Sequence, residues 1–121
     1  MMSNKYYTTE SKVRQYEAVI GVFTELFKEL KDLGKKKPEG TLSTSKVNLI
    51  NRVLADAVKL LEGAPDHKYL DLLDSDSLPQ YGDAILILSQ YEGALKSFYE
   101  RHYGYQSGVG DAWFIQPKKS G

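Results

Sequence analysis

The stretch that decides the fold is residues 77–103, SLPQYGDAILILSQYEGALKSFYERHY, and its spacing predicts one long amphipathic helix. Ser77 fits the N-cap position, with Gln80 three residues later and Pro79 in the first turn, and Gly104 fits the left-handed position that ends a helix. Residues spaced three and four apart place one set of side chains on a single side. That set is Tyr81, Ala84, Ile85, Leu88, Tyr91, Leu95, Phe98, Tyr99, His102 and Tyr103.

A second long helix is expected near the N-terminus. Thr8 or Thr9 is a suitable N-cap, the apolar pattern continues to about Leu33, and Gly34 is expected to end the helix. About half of the helix circumference is apolar, which is the arrangement of a helix packed on a core. The apolar residues are Val13, Tyr16, Val19, Ile20, Val22, Phe23, Leu26, Phe27, Leu30 and Leu33.

The third long helix lies between these two in the sequence. Ser43 is its expected N-cap, and the pattern runs to about Glu62, where Gly63 ends it. Its apolar residues again cover about half of the circumference. They are Val47, Leu49, Ile50, Val53, Leu54, Ala57, Val58, Leu60 and Leu61.

These patterns predict an all-α fold. Three long helices with modest connections should pack up, down, up, and a short helix around Leu70 should cover one end of the bundle. That short helix, or a second copy of the chain, is expected to take the fourth place of a four-helix bundle. The expected organisation is a flexible arm over residues 1–8, a helical domain over 9–104 and a mostly irregular tail over 105–121.

Composition limits the possible functions. The 121 residues include sixteen basic and sixteen acidic side chains and no cysteine. The absence of thiols rules out a disulfide framework and thiolate chemistry, and it favours a cytoplasmic location. The zero net charge argues against generic nucleic-acid binding. No catalytic, cofactor or metal-binding motif has the required spacing, so neither a cofactor nor a metal is predicted, and an enzyme is not favoured.

Two residues on the apolar side of the deciding helix are polar. Glu92 lies between Leu88 and Leu95, where an ionised carboxylate needs a partner or access to water. His102 lies in the last turn, where the helix dipole favours a histidine. Both have an ordinary structural interpretation, and both are candidates for a polar pocket.

Aromatic residues are concentrated late in the chain. Nine tyrosines are present in all, and such side chains favour half-wet contact surfaces because they join an apolar ring to a polar tip. Either the aromatic tail folds back on the bundle, which is favoured, or it anchors another chain. The candidates for an interaction surface are Tyr91, Tyr99, Tyr103, Trp113 and Phe114.

A local basic patch is the remaining candidate surface. Lys35, Lys36 and Lys37 are consecutive, and together with Arg14 and Arg52 they are candidate phosphate contacts. An up-down-up bundle would place these lysines at one end and the acidic connection, residues 66–76, at the other. The molecule would then be polarised from end to end.

The function hypotheses follow from these features. The first is a non-enzymatic helical protein that works through protein–protein contacts, as a homodimer or as an accessory subunit. The second is a small subunit of a nucleic-acid-associated complex that uses the local lysine and arginine patch. The third is a ligand-binding bundle with a polar pocket around Glu92.

Overall fold

The computed structural model describes residues 7–116, so most of the predicted arm, residues 1–6, lies outside the described residues, as does the end of the tail. Three α-helices, α1, α2 and α3, precede a pair of short strands, β1 and β2, and a single 3-10 turn lies between α2 and α3. Their bounds are Glu10–Lys36 for α1, Thr44–Leu60 for α2, His67–Tyr69 for the 3-10 turn, Tyr81–His102 for α3, Tyr103–Gln106 for β1 and Gly110–Trp113 for β2.

Helix α1 begins where the sequence predicts and ends later. The Thr9 hydroxyl accepts a hydrogen bond from the Lys12 backbone N–H at 3.1 Å. Gly34 does not end the helix, because α1 continues to Lys36 with Gly34 buried inside it. A Cβ atom on Gly34 would lie only 2.5 Å from Cδ1 of Ile85. The glycine therefore serves the close approach of α1 and α3.

Helix α2 matches its predicted N-cap and ends within two residues of the prediction. The Ser43 hydroxyl accepts a hydrogen bond from the Lys46 N–H at 3.2 Å. After Leu60 the chain turns, and Gly63 adopts a φ of 86°, a value that glycine reaches without strain. The Lys12 ammonium donates to the Glu62 carbonyl at 3.1 Å, which ties the start of α1 to the end of α2.

The direction of α3 differs from the prediction. Tyr81 N–H donates to the Gly40 carbonyl at 2.8 Å, and Gly82 N–H donates to the Pro38 carbonyl at 3.2 Å. Helix α3 therefore starts at the end of the molecule where α1 finishes and α2 starts, here called the loop end. It runs antiparallel to α1 and parallel to α2, so the up-down-up arrangement is wrong.

The parallel arrangement requires a long return of the chain, the crossover segment of residues 61–80. It passes α2 and α3 at mid-length, where the Asn51 side chain accepts from the Leu73 N–H at 2.8 Å and donates to the Leu73 carbonyl at 2.9 Å. From α3, the Tyr91 hydroxyl donates to the Asp71 carbonyl at 2.7 Å. Leu73 itself is 3% exposed. An extended segment thus takes the place that the sequence assigned to a fourth helix.

The four-helix expectation is therefore wrong. The helix predicted near Leu70 is a single 3-10 turn whose three residues are not buried, and residues 7–116 contain no fourth α-helix. Breaker and aspartate residues explain the extended path, because side chains such as Asp74 bond the local backbone instead of supporting helical bonds. Its Oδ1 atom accepts from the N–H groups of Asp76 and Ser77.

The predicted start of α3 at Ser77 is also wrong. The helix begins at Tyr81, with Gln80 in the N-cap position. The Pro79 carbonyl accepts from the Leu42 N–H at 2.9 Å, and Thr41 and Gln80 form an antiparallel bridge. Pro79 and Gln80 are thus held by pairing with the α1–α2 loop, which outweighs the capping pattern that begins at Ser77.

The all-α assignment is wrong as well. Strands β1 and β2 form an antiparallel hairpin in which Tyr103 pairs with Trp113 and Gln106 pairs with Gly110. Gly108 and Gly110 have φ values of 84° and 95°, which allow the tight reversal. Gly104, expected to end the helix, lies in β1 instead. Four-residue strands of this composition are too short to give a periodic signal.

The hairpin joins the two ends of the described chain at the opposite end of the molecule, here called the terminal end. Phe114 N–H donates to the carbonyl of His102 at 2.7 Å. The Thr8 N–H donates to the Phe114 carbonyl, and the Gln116 N–H donates to the Thr8 carbonyl, each at 2.8 Å. Thr8 is buried as a result.

Candidate functional site

Glu92 is exposed on the side of α3 that faces α1. It lines a shallow groove of about 180 Å³ between the two helices, together with Lys96 one turn further along α3. On the other wall of this groove are Tyr16, Ile20, Phe23 and Thr24. The carboxylate has access to water, and its position at the rim of the core accounts for a charged residue within the apolar pattern.

His102 lies in a different place. It is buried in the last turn of α3, with its ring 4.7 Å from the ring of Phe98 in an edge-to-face arrangement. It lines a cavity of about 300 Å³ at the terminal end, near Lys12 and Arg101. Ten residues of helix separate it from Glu92, or about 15 Å along the axis. The two residues do not form one pocket.

Tyr91 is part of the core. It is fully buried, and its hydroxyl holds the crossover segment through the bond to Asp71. Burial raises the pKa of Tyr91 to about 12, and the nearby Asp71 carboxylate adds to the rise. Its side chain thus links α3 to the crossover segment.

The late aromatic residues form a cluster at the terminal end, here called the aromatic cluster. Trp113 lies with its ring centroid 5.3 Å from Tyr16 on α1 and 5.4 Å from Tyr103 on β1. Tyr99 stacks on Tyr103 at 4.7 Å. Burial, followed by the effect of neighbouring Tyr99, raises the pKa of Tyr16. The cluster covers the contact between α1 and α3 at the terminal end.

Phe114 extends this closure toward the N-terminus. Its ring lies 5.9 Å from that of Tyr7 in an edge-to-face arrangement. Phe114 is half-buried, whereas Tyr7 is 60% exposed. The tail through Phe114 therefore folds back on its own chain.

The candidate phosphate contacts are spread over the surface. Lys35, Lys36 and Lys37 are exposed at the loop end. Arg14 lies in the second turn of α1, about 30 Å from Lys35 along the helix axis, and pairs with Glu10 at 2.7 Å. Arg52 is exposed midway along α2. The structure does not bring these residues into one patch.

The predicted end-to-end charge polarity is wrong for a related reason. Because the crossover segment returns along the molecule, its acidic residues are distributed along the length instead of collecting at one end. Asp83, in the first turn of α3, lies at the loop end with the lysines. Opposite charges therefore share that end.

A groove between α1 and α2, here called the α1–α2 groove, was not singled out by sequence reasoning. Its floor is apolar, and large apolar side chains on its walls reach solvent: Val22 is 55% exposed, Leu49 51% and Leu33 36%. It contains one cavity of about 330 Å³ between Val22 and Val53 and another of about 150 Å³ between Leu33 and Leu49. The available signal was an apolar arc on α1 wider than one neighbour requires.

Charged side chains of both signs border this groove. On the α1 side Glu29 lines the groove and is exposed. On the α2 side Lys46, Asp56 and Lys59 line the groove and are exposed. An apolar floor with charged side chains at its rim is suited to protein contact.

Two other kinds of site receive no support from the described residues. Residues 7–116 contain no group of three or more histidine or carboxylate side chains placed to hold a metal ion. No helix among them is both long enough and apolar enough to cross a membrane.

Comparison with known proteins adds no family. No protein-family model, no curated protein and no solved structure matches this chain.

Proposed function

We propose that this chain is a non-enzymatic helical protein that works by binding another protein chain through the α1–α2 groove. The observation that carries the proposal is the pair of exposed apolar walls, Val22 and Leu33 on α1 and Leu49 on α2, beside an apolar floor. Contiguous exposed apolar surface rimmed by charges is characteristic of protein contact sites. The proposal includes a cytoplasmic location, which a chain without cysteine suits.

The other candidate surfaces support this choice by comparison. Tyr91 is fully buried in the core. Trp113 is packed among Tyr16, Tyr99 and Tyr103 of its own chain. Glu92 and His102 line separate cavities. The basic residues are dispersed, which leaves little reason to favour a phosphate backbone as the ligand. The groove combines area, apolar character and charged side chains at its rim.

A matched pair of variants tests the proposal in cells that produce the protein. Leu49→Asp places a charge in the groove, and Leu86→Asp places the same charge on the far side of α3, where the leucine is 65% exposed. Both leucines lie on helix surfaces, so both variants should fold with nearly unchanged urea midpoints. The readout is the native size of the tagged chain in a fresh extract.

The expected result is a complex larger than the single chain for the wild type and for Leu86→Asp, and a single chain for Leu49→Asp. A wild type that elutes as a single chain would contradict the proposal. So would a Leu49→Asp variant that remains in a complex as large as that of the wild type.

A further inference from the structure

We infer that the cavity of about 300 Å³ at the terminal end, here called the terminal cavity, binds a small organic carboxylate. It is enclosed by the start of α1 and by the ends of α2 and α3, and Lys12, Leu61, Phe98 and Arg101 are among the residues that line it. It shares no described lining residue with the α1–α2 groove, so the inference does not depend on the proposed function.

The apolar part of the terminal cavity comes from the ends of α2 and α3. Leu60, Leu61 and Phe98 line the cavity, and all three side chains are buried in the core. The ring of His102, which lies edge-on to that of Phe98 at 4.7 Å, also lines it. Because the core holds these side chains in place, a hydrocarbon group that enters the cavity meets a preformed apolar surface.

The charged part of the terminal cavity comes from α1 and from the last turn of α3. The side chains of Lys12 and Arg101 are half-buried, and both line the cavity. A cation that is partly shielded from water attracts an anion more strongly than a cation on open surface does. Glu62 is the one acidic residue among the described lining residues, and it is exposed. The described lining therefore carries an excess of positive charge.

The hydrogen bonds near the cavity already engage carbonyl groups at two helix ends and leave side-chain donors for a ligand. The Glu62 carbonyl accepts from the Lys12 ammonium at 3.1 Å, and the His102 carbonyl accepts from the Phe114 N–H at 2.7 Å. The ammonium retains two further protons. Within residues 7–116, the Arg101 guanidinium forms no hydrogen bond or ion pair. A carboxylate, which only accepts hydrogen bonds, suits these donors.

Size and polarity together select the class of ligand. The volume of about 300 Å³ is at the lower end of the range of ligand cavities, which is about 300–1,000 Å³, so the ligand is small. Inorganic phosphate would use the donors of Lys12 and Arg101 but would leave the apolar surface uncovered. A short-chain carboxylate uses both parts, because arginine can donate two parallel hydrogen bonds to its carboxylate while its hydrocarbon covers the leucines.

The two cations also have a structural explanation. Helices α2 and α3 end beside the cavity, and positive side chains stabilise the carboxyl ends of helices. That explanation alone predicts a loss of stability when either charge is removed, and no specific response to an added carboxylate. Binding and stability are therefore measured on the same variants.

The test is a titration of the purified full chain with sodium hexanoate, followed by backbone amide signals in two-dimensional NMR spectra. Signals from residues at the cavity, such as Gly63 and Arg101, should shift and saturate with a dissociation constant of about 1 mM, as expected from the size of the ligand. Acetate should bind at least about tenfold more weakly, because it lacks the methylene groups that the apolar surface would bury. Hexylamine, which has the same hydrocarbon and the opposite charge, should not saturate these shifts.

Variants identify the residues that bind the carboxylate. Arg101→Gln and Lys12→Gln should each weaken hexanoate binding about tenfold, because each removes a charged donor. Arg52→Gln, at an exposed residue of α2 outside the cavity, is the matched control and should bind as the wild type does. Circular dichroism and urea midpoints report folding. If one variant does not fold, the other variant and the wild-type titration decide the question.

Several outcomes would overturn the inference. Shifts that do not saturate by about 50 mM hexanoate, or equal binding of hexylamine, would exclude a carboxylate site. Unchanged hexanoate affinity in the folded Arg101 and Lys12 variants would leave these cations with the structural role alone. Phosphate binding as tight as that of hexanoate would exclude the hydrocarbon contact. Shifts confined to the α1–α2 groove, around Val22 and Leu49, would place the site elsewhere.

Discussion

The two flanks of α1 differ in whether the rest of the chain covers their apolar side chains. Toward α3, the helix is covered at the terminal end by the aromatic cluster, with Tyr16 stacked on Phe98 at 5.4 Å and Trp113 set edge-on to Tyr16. At the loop end, Gly34 brings the two helices together. Toward α2, the core residues are also buried, yet Val22 and Leu49 lie above them in solvent.

The difference identifies where the chain relies on its own packing and where it does not. On the α3 flank, hairpin and tail bury apolar surface that would otherwise be exposed, which stabilises the fold. On the α2 flank, truncation of the exposed side chains costs the isolated fold little, because they bury little area within it. Variants on the two flanks should therefore affect different properties.

Trp113→Ala should have the largest effect on stability. It removes the ring that contacts α1, α3 and β1, and because the residue is half-buried the expected loss is about 2–3 kcal/mol, below the range for fully buried tryptophan. Urea denaturation followed by far-ultraviolet circular dichroism measures it. Leu49→Ala, the control on the open flank, should cost less than about 1 kcal/mol. Equal losses would refute the contrast.

Asn51→Ala should come next. The substitution leaves the N–H and carbonyl groups of Leu73 without their partners in a part-buried setting, at an expected cost of about 2 kcal/mol. Asn48→Ala, on the exposed side of α2, is the control. Hydrogen exchange should become faster in the crossover segment for Asn51→Ala. Unchanged exchange around Leu73 would show that these bonds do not hold the segment.

Gly34→Leu tests the loop end of the α1–α3 flank. The new side chain must displace Ile85, and overpacking of this kind costs about 1–2 kcal/mol. Gly21→Leu is the matched control, since nothing lies within 4 Å of a Cβ atom there. It should gain up to about 1 kcal/mol through helix propensity. Thermal melts of both variants give the comparison, and a stabilised Gly34→Leu would be inconsistent with close packing at this point.

Tyr91→Phe gives the smallest effect at neutral pH, about 1 kcal/mol from the lost bond to Asp71. The distinguishing effect of Tyr91→Phe is expected at alkaline pH, in the free energy of unfolding. The pKa of Tyr91 is raised to about 12 in the folded chain, whereas an unfolded tyrosine has a pKa of about 10. The folded chain therefore holds more protons in this window, and the free energy of unfolding falls as pH rises from about 10 to about 12.

The variant should show a shallower decline over that window, measured by urea titrations at fixed pH. Tyr105→Phe, at a residue that is 72% exposed, is the control and should follow the wild-type slope. A Tyr91→Phe slope equal to that of the wild type would remove Tyr91 as the cause.

The elements predicted correctly from sequence are those with strong local signals. The caps Thr9 and Ser43 and most of the core residues of the three helices appear as expected, because capping and periodicity act within a few residues. Errors arise where long-range contacts decide. The path of the crossover segment depends on Asn51, Tyr91 and the loop at Gly40, and spacing does not reveal contacts between residues this far apart.

For the α1–α2 groove too, local patterns were predicted from sequence and long-range contacts were not. Val22 and Leu49 were recognised as apolar residues of broad arcs, but only the direction of α3 and the course of the crossover segment show which arc stays uncovered. Conversely, the sequence made Tyr91 on α3 and Trp113 in the tail candidates for an interaction surface, because both are aromatic. Their partners within the chain, Asp71 and the aromatic cluster, lie on elements that were not predicted to be close.

Photo-crosslinking tests the central claim, that the α1–α2 groove is covered by another protein chain, most directly. A benzoylphenylalanine side chain replaces Leu49 in one variant and Leu86 in the other, and cells that produce each full chain are irradiated before extraction. The account predicts a covalent adduct with one defined protein, a second copy or another chain, from position 49 and little from position 86. No adduct from position 49, or equal adducts from both positions, would contradict it.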